Sequence, residues 1–244
     1  MAAAILVAGA TGLVGRAVLA ALLTADTIQS RGHAAAQVAA AGTSPPVSTD
    51  SPGAATIHVL HARDRRPPAL AHPRLQLHAV DFSDLPALPA VNDVYITLGT
   101  TMAAAGSQSA FRKVDYDAVM ATAQAARAAG ASRCGVVTAM GANVHSRTFY
   151  NRVKGEVERD LQALGFATLV IARPSLMIGK RQALQQAARP AESLSIQLFK
   201  WLDPLIPDNY RARPGTDVGR ALVHAVQSGP PGLQLLSGRA LQPP

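Results

Sequence analysis

Ala4-Ile-Leu-Val-Ala-Gly-Ala-Thr-Gly-Leu-Val-Gly15 is the stretch that decides the fold. Ile5, Leu6 and Val7 form a short apolar run without polar alternation, the pattern of a parallel strand buried on both faces. Gly9 opens a tight turn. Gly12 lets the backbone approach a pyrophosphate held by free N–H groups at a helix N-terminus, and Gly15 lets that helix pack close to the strand. The spacing is G-x-x-G-x-x-G rather than G-x-G-x-x-G, so the triplet by itself is a weak signal. Its context strengthens it, because a strand precedes it and an amphipathic run (Leu13, Ala17, Leu19, Ala20, Leu23) follows. No Gly-Lys-Ser/Thr follows that would make it a P-loop. Gly9, Thr11, Gly12, Leu13, Val14 and Gly15 are therefore assigned to a dinucleotide.

Further strands alternate with helices down the chain. They are expected at Thr56 to His61, Leu75 to Val80, Asp93 to Leu98, Gly135 to Ala139 and Ala167 to Ala172, with helices at Tyr116 to Ala129, around Tyr150 to Lys154 and at Asp217 to Gln227. Pro230-Pro231-Gly232 starts a last extended segment. This alternation specifies an α/β fold with a doubly wound parallel sheet, in which ligands bind outside the carboxyl ends of the strands. With 244 residues, 48% hydrophobic, the chain can bury one core and is read as a single domain. Residues 32 to 55, rich in Ala, Ser, Thr, Pro and Gly, cannot bury enough apolar surface to offset ordering entropy and are expected to form a functionally quiet insertion. The region of about 175–215, with Leu198, Phe199, Trp201, Leu202, Leu205 and Ile206, is expected to form a small C-terminal lobe over the substrate.

The net charge of +8 raises the question of a polyanion partner. Basic residues are scattered and aromatics make up only 4%, so neither nucleic acid nor a membrane surface is expected. The lone Cys134, in an apolar run, excludes an intramolecular disulfide. Together with an N-terminal apolar run too short for a membrane span, it suggests a cytoplasmic protein. His58 and His61 lie three apart on a strand, point to opposite faces and make a poor metal pair, so no metal is expected.

Three strand ends supply cofactor candidates. After the second strand, Arg63 is placed for a 2′-phosphate and Asp64 for a free 2′-hydroxyl, which favours NADP(H) over NAD(H). Asp81 and Phe82 end the third strand, one as acceptor for an adenine amino group and the other as a flank to its ring. Leu98, Gly99 and Thr100 end the fourth, where the glycine turn lets the backbone pass beside the cofactor.

Tyr150 and Lys154 follow the fifth strand, four apart and so on one helix face. A free phenol has a pKa of about 10, and an adjacent ammonium is expected to lower it enough for acid–base work. A small carbonyl or alcohol would be the substrate, and a homodimer is left open.

Ala-Gly-Ala-Thr-Gly-Leu-Val-Gly-Arg, Leu-Gly-Thr-Thr, Phe-Arg-Lys-Val-Asp-Tyr-Asp, Met-Gly-Ala-Asn, Phe-Tyr-Asn-Arg-Val-Lys-Gly-Glu-Val-Glu and Ala-Arg-Pro-Ser-Leu-Met-Ile-Gly-Lys-Arg together resemble the atypical short-chain dehydrogenase/reductases. Within them the chain is most similar to the Tat-interacting protein 30-like NAD(P)-binding proteins. The resemblance covers nearly the whole chain. It implies a Rossmann domain, Tyr150 as acid/base, Lys154 on the nicotinamide ribose, and Pro174 and Ser175 lining the nicotinamide. Thr138-Ala139 stands where that family usually has two serines, so the carbonyl-polarising hydroxyl is Thr138, Ser146, or absent.

Overall fold

A computed structural model describes residues 4–24, 55–62, 71–175 and 211–242, and the backbone of 177–178. The expected insertion up to residue 54, Arg63 and Asp64, and residues 179–210 of the expected lobe lie outside the described residues.

Seven strands form one parallel sheet: β1 (Ala4–Ala8), β2 (Thr56–Ala62), β3 (Leu75–Val80), β4 (Asp93–Ile96), β5 (Arg133–Val137), β6 (Thr168–Ala172) and, named out of turn, β9 (Gly232–Leu236). Their order is β3-β2-β1-β4-β5-β6-β9, so the strand order reverses between β1 and β4. The crevice for a ligand opens at that reversal. A two-residue pair, β7 (Met177–Ile178) with β8 (Arg213–Pro214), lies outside the sheet. Helix α1 covers residues 13–24, α2 Met102–Ala105, α3 Gln108–Arg112, α4 Ala118–Ala128, α5 Phe149–Ala163 and α6 Gly215–Ser228. A π-helical turn, Lys113–Asp117, joins α3 to α4.

The apolar run of β1 is buried on both faces. Ile5 and Val7 join a core with Val18, Leu22, Val59, Leu222 and Val226, under α1 and α6. Leu6 and Ala8 face the other way, into a core with Val94, Ile96, Val119, Ala123, Val157 and Leu161, under α4 and α5. Glycines set how closely these helices approach. A Cβ on Gly215 would come within 2.4 Å of Leu13 Cγ, and one on Gly219 within 2.6 Å of Ala17 Cβ, so α6 lies directly on α1.

β4 stops at Ile96, two residues short of the expected end, because Thr97 is captured from β1: its amide and its Oγ1 both donate to Ala8 O, at 2.8 and 3.0 Å. β5 begins two residues earlier than expected. Arg133 fits a strand start because its guanidinium grips Asp93 on β4 at 2.6 and 3.0 Å. The final segment enters the sheet as β9, parallel to β6. Cys134 is fully buried inside β5, where burial pushes its thiol far above the usual range.

Candidate active site

Gly9 leaves β1 with φ +88°, and a Cβ there would come within 2.6 Å of the Thr97 carbonyl carbon. Gly12 N–H donates back to Gly9 O at 3.0 Å, which closes the turn into α1. Gly15 is packed against that turn, since its Cβ would lie 2.1 Å from Gly9 O and 2.7 Å from Thr97 Oγ1. Gly12 meets only Gly9 O, at 3.3 Å, and is otherwise open on the crevice side. A glycine turn of this shape at the start of a helix fits a dinucleotide pyrophosphate. Val14 is buried in the core under α1, Leu13 packs on Gly215, and the Thr11 carbonyl accepts from Arg16 Nε at 3.1 Å.

The candidates on β3 and β4 fare unequally. Asp81 Oδ1 is engaged by Ser83 N (2.9 Å) and Ser83 Oγ (2.6 Å) in its own turn. Phe82 is half-buried against the core under α4 and α5, as is Leu98, so neither ring nor side chain stands free in the crevice. Gly99 is exposed, and a Cβ on it would come within 3.9 Å of Lys154 Nζ. The strand end thus meets α5.

On α5, Lys154 is buried, and its Nζ lies 2.7 Å from Asp115 Oδ1. The other oxygen of Asp115 accepts from Thr100 N–H at 2.8 Å. Tyr150 is half-buried, its ring tilted against Phe111 at 5.4 Å. The expected lowering of its pKa does not hold. Burial first, and the Asp115 carboxylate second, push the phenol above its ordinary value, because the ammonium of Lys154 is committed to Asp115. Asp115 is the residue that sequence reasoning missed. Its signal was an acid on the apolar stripe Phe111–Asp115–Val119.

Thr138 is not placed to polarise a carbonyl. Its hydroxyl is buried and donates to Glu158 Oε1 at 2.6 Å. Glu158 is held in turn by Arg173, through Nε to Oε1 at 3.0 Å and through Nη2 to Oε2. The three residues brace the ends of β5 and β6 to α5. Ser146 Oγ sits 3.1 Å from Thr148 Oγ1 in the loop before α5. Pro174 O accepts from Met140 N at 2.9 Å, continuing the β5–β6 pairing, and Ser175 Oγ donates to Arg211 O at 2.7 Å. Among the described residues, no cluster of three or more metal-ligating side chains occurs and no helix is long and apolar enough to cross a membrane.

A family model described as HIM1 matches residues 71–202, and this span contains Gly99, Asp115, Tyr150 and Lys154. The chain belongs to the HIM1 family. The mitochondrial protein FMP52 of Candida albicans is 32% identical over 193 residues, covering 75% of this chain and 81% of its own length. FMP52 of Eremothecium gossypii is 45% identical over 97 residues, a match that spans 39% of this chain and less than half (43%) of that protein. These relatives are named as mitochondrial, which overturns the expected cytoplasmic setting. A lone reduced thiol reports a redox state, which more than one compartment shares.

Solved structures share the fold. A short-chain dehydrogenase family protein from Francisella tularensis superposes with TM-score 0.63 at 10% identity, over 98% of this chain and 99% of that one. The WbmH enzyme of Bordetella bronchiseptica, solved with NAD+, gives 0.60 at 15%, over 96% and 75%. The fold is therefore the Rossmann type of the dehydrogenases and epimerases. The name HIM1 differs from the Tat-interacting protein 30-like resemblance of the motifs.

Proposed function

We propose that the chain is an oxidoreductase of the short-chain dehydrogenase/reductase type, transferring hydride between NADP(H) and a small carbonyl or alcohol. The observation that carries this reading is the convergence at the strand-order reversal. The glycine cradle after β1 and the Gly99 turn after β4 follow the carboxyl ends of two adjacent central strands, and the Gly99 turn meets Lys154 of α5, which also carries Tyr150. The motif resemblance to the Tat-interacting protein 30-like proteins supports it. A nicotinamide dinucleotide would supply the hydride. The turn from Gly9 to Gly15 would hold its pyrophosphate and Lys154 its ribose hydroxyls. Burial first, and Asp115 second, hold the Tyr150 phenol above its ordinary value, and in the reducing direction it would be the group that gives its proton to the carbonyl oxygen. Preference for NADP(H) rests on Arg63, with Asp64 as its rival. A single domain with a C-terminal lobe over the substrate belongs to the same reading.

One observation favours a second reading, a non-catalytic cofactor sensor acting on a protein partner: the Thr138 hydroxyl that would polarise a carbonyl is bound to Glu158. Fluorescence titration with NADPH and NADH, followed by a turnover assay with quinones, aldehydes and ketones, separates the two. Tyr150→Phe should retain cofactor binding and lower turnover about 10²–10⁴-fold, whereas Lys154→Ala should impair binding and turnover together. Full turnover by Tyr150→Phe, or a wild type that binds neither cofactor, would overturn the enzyme reading. Arg63→Ala should weaken NADPH by about 1.5–3 kcal/mol and spare NADH.

A further inference from the structure

The Asp115 carboxylate is 1% exposed and touches two of the elements that form the crevice. Its Oδ1 meets Lys154 Nζ on α5 at 2.7 Å, and its Oδ2 takes the Thr100 amide proton, just past β4, at 2.8 Å. A Cβ on Gly99 would sit 3.4 Å from Asp115 Oδ1 and 3.9 Å from Lys154 Nζ, so the turn lies directly over the ion pair. Desolvating two charges this deeply gives little or no net stability over an apolar pair of similar volume. The carboxylate also sits on a π-helical turn, a local insertion that recurs at functional sites.

We propose that Asp115 is a positioning residue of the nucleotide crevice: one carboxylate keeps Lys154 charged and aimed while pinning the Gly99–Thr100 backbone that faces the nicotinamide ribose. The proposal rests on the cofactor reading above. Asp115 meets Lys154 from the π turn. Tyr150 and Glu158 flank it on its own helix, and Glu158 is already held by Thr138 and Arg173. The β4 end offers only Gly99 and Thr100, and α3 presents the uncharged Phe111 to Tyr150. Asp115 is thus the counter-charge that meets the buried Lys154 amine, at 2.7 Å.

Asp115→Asn keeps an acceptor for Thr100 but removes the charge. With the full chain, NADH affinity is measured by fluorescence between about pH 6.5 and 9.5, a range in which NADH itself does not titrate. Wild type should stay nearly flat, Asp115→Asn should lose about tenfold toward the alkaline end as Lys154 deprotonates, and Asp115→Asn/Lys154→Met should be weak but flat. Asp115→Glu, which keeps the charge, should also be flat, and it carries the comparison if Asn does not fold. Parallel profiles for wild type and Asp115→Asn, as a merely structural role predicts, would overturn the proposal, as would a sloping Asp115→Glu. If wild type binds neither NADH nor NADPH, the cofactor reading fails by itself. Tyrosinate absorbance, taken as a difference against Tyr150→Phe, then decides for Asp115. Ionisation of Tyr150 at lower pH in Asp115→Asn supports its electrostatic hold on the site, and an unchanged midpoint refutes it.

Discussion

Gly12 and Gly15 stand three residues apart and carry opposite obligations. A methyl at Gly15 collides with the Gly9 carbonyl oxygen at 2.1 Å, so Gly15→Ala should destabilise by about 1–3 kcal/mol in urea unfolding. Gly12→Ala meets the same oxygen at only 3.3 Å and should stay within about 1 kcal/mol of wild type while losing cofactor affinity, because its new methyl points into the cradle. Thr138 makes a second residue-scale case. Thr138→Val leaves the buried Glu158 one donor short and should cost about 1–3 kcal/mol, whereas Thr138→Ser should cost much less. The glycine roles were legible in the sequence because they depend on a local turn. The partner of Thr138 was not, since Glu158 reaches it from another element and only packing brings them together.

Helix α5 shows how an element carries the site. A Cβ on Gly155 would lie 2.3 Å from both the Asn143 carbonyl carbon and the Val144 nitrogen, so the loop after β5 seats the helix against its own backbone. Gly155→Ala must push α5 away, and Tyr150 and Lys154 move with it. Gly219→Ala on α6, whose methyl would meet Ala17 Cβ at 2.6 Å, provides a control far from those side chains. Both should lower stability by about 1–3 kcal/mol. Only Gly155→Ala should also change turnover beyond what its loss of folded protein explains, which melting curves and assays on the same samples would reveal. Sequence reading announced α5 only around Tyr150 to Lys154, from their spacing of four, and α6 over Asp217 to Gln227. It misplaced the ends of β4 and β5, where Thr97 bonds to Ala8 and Arg133 to Asp93 across neighbouring strands.

At the scale of the whole molecule, pH reaches the sheet through its β2–β3 edge. His58 Nδ1 and His78 Nε2 lie 3.1 Å apart, within hydrogen-bond distance. Burial, and then the neighbouring His78, hold His58 below the usual histidine range. The unfolded chain therefore takes up protons that the folded chain refuses. Stability is unaffected above about pH 7, falls as pH drops through the unfolded value of about 6.5, and stops falling below the folded value. Calorimetry at constant ionic strength should find that Tm falls from about pH 7.5 to 5.5 by more in wild type than in His58→Gln. Equal falls would mean that other groups govern the acid limb.

The sequence by itself determined the parallel α/β plan, the glycine cradle and the shared helix face of Tyr150 and Lys154. Each of these follows from spacing within a single element or turn, which periodicity records. Tertiary structure alone decided that Lys154 is paired with Asp115, that Thr138 braces Glu158 instead of facing a substrate, and that His58 finds His78 rather than standing alone. Those pairings join residues on different elements. They exist because the strand order β3-β2-β1-β4-β5-β6-β9 brings particular element ends side by side, and a buried charge or polar group then takes the partner that packing supplies.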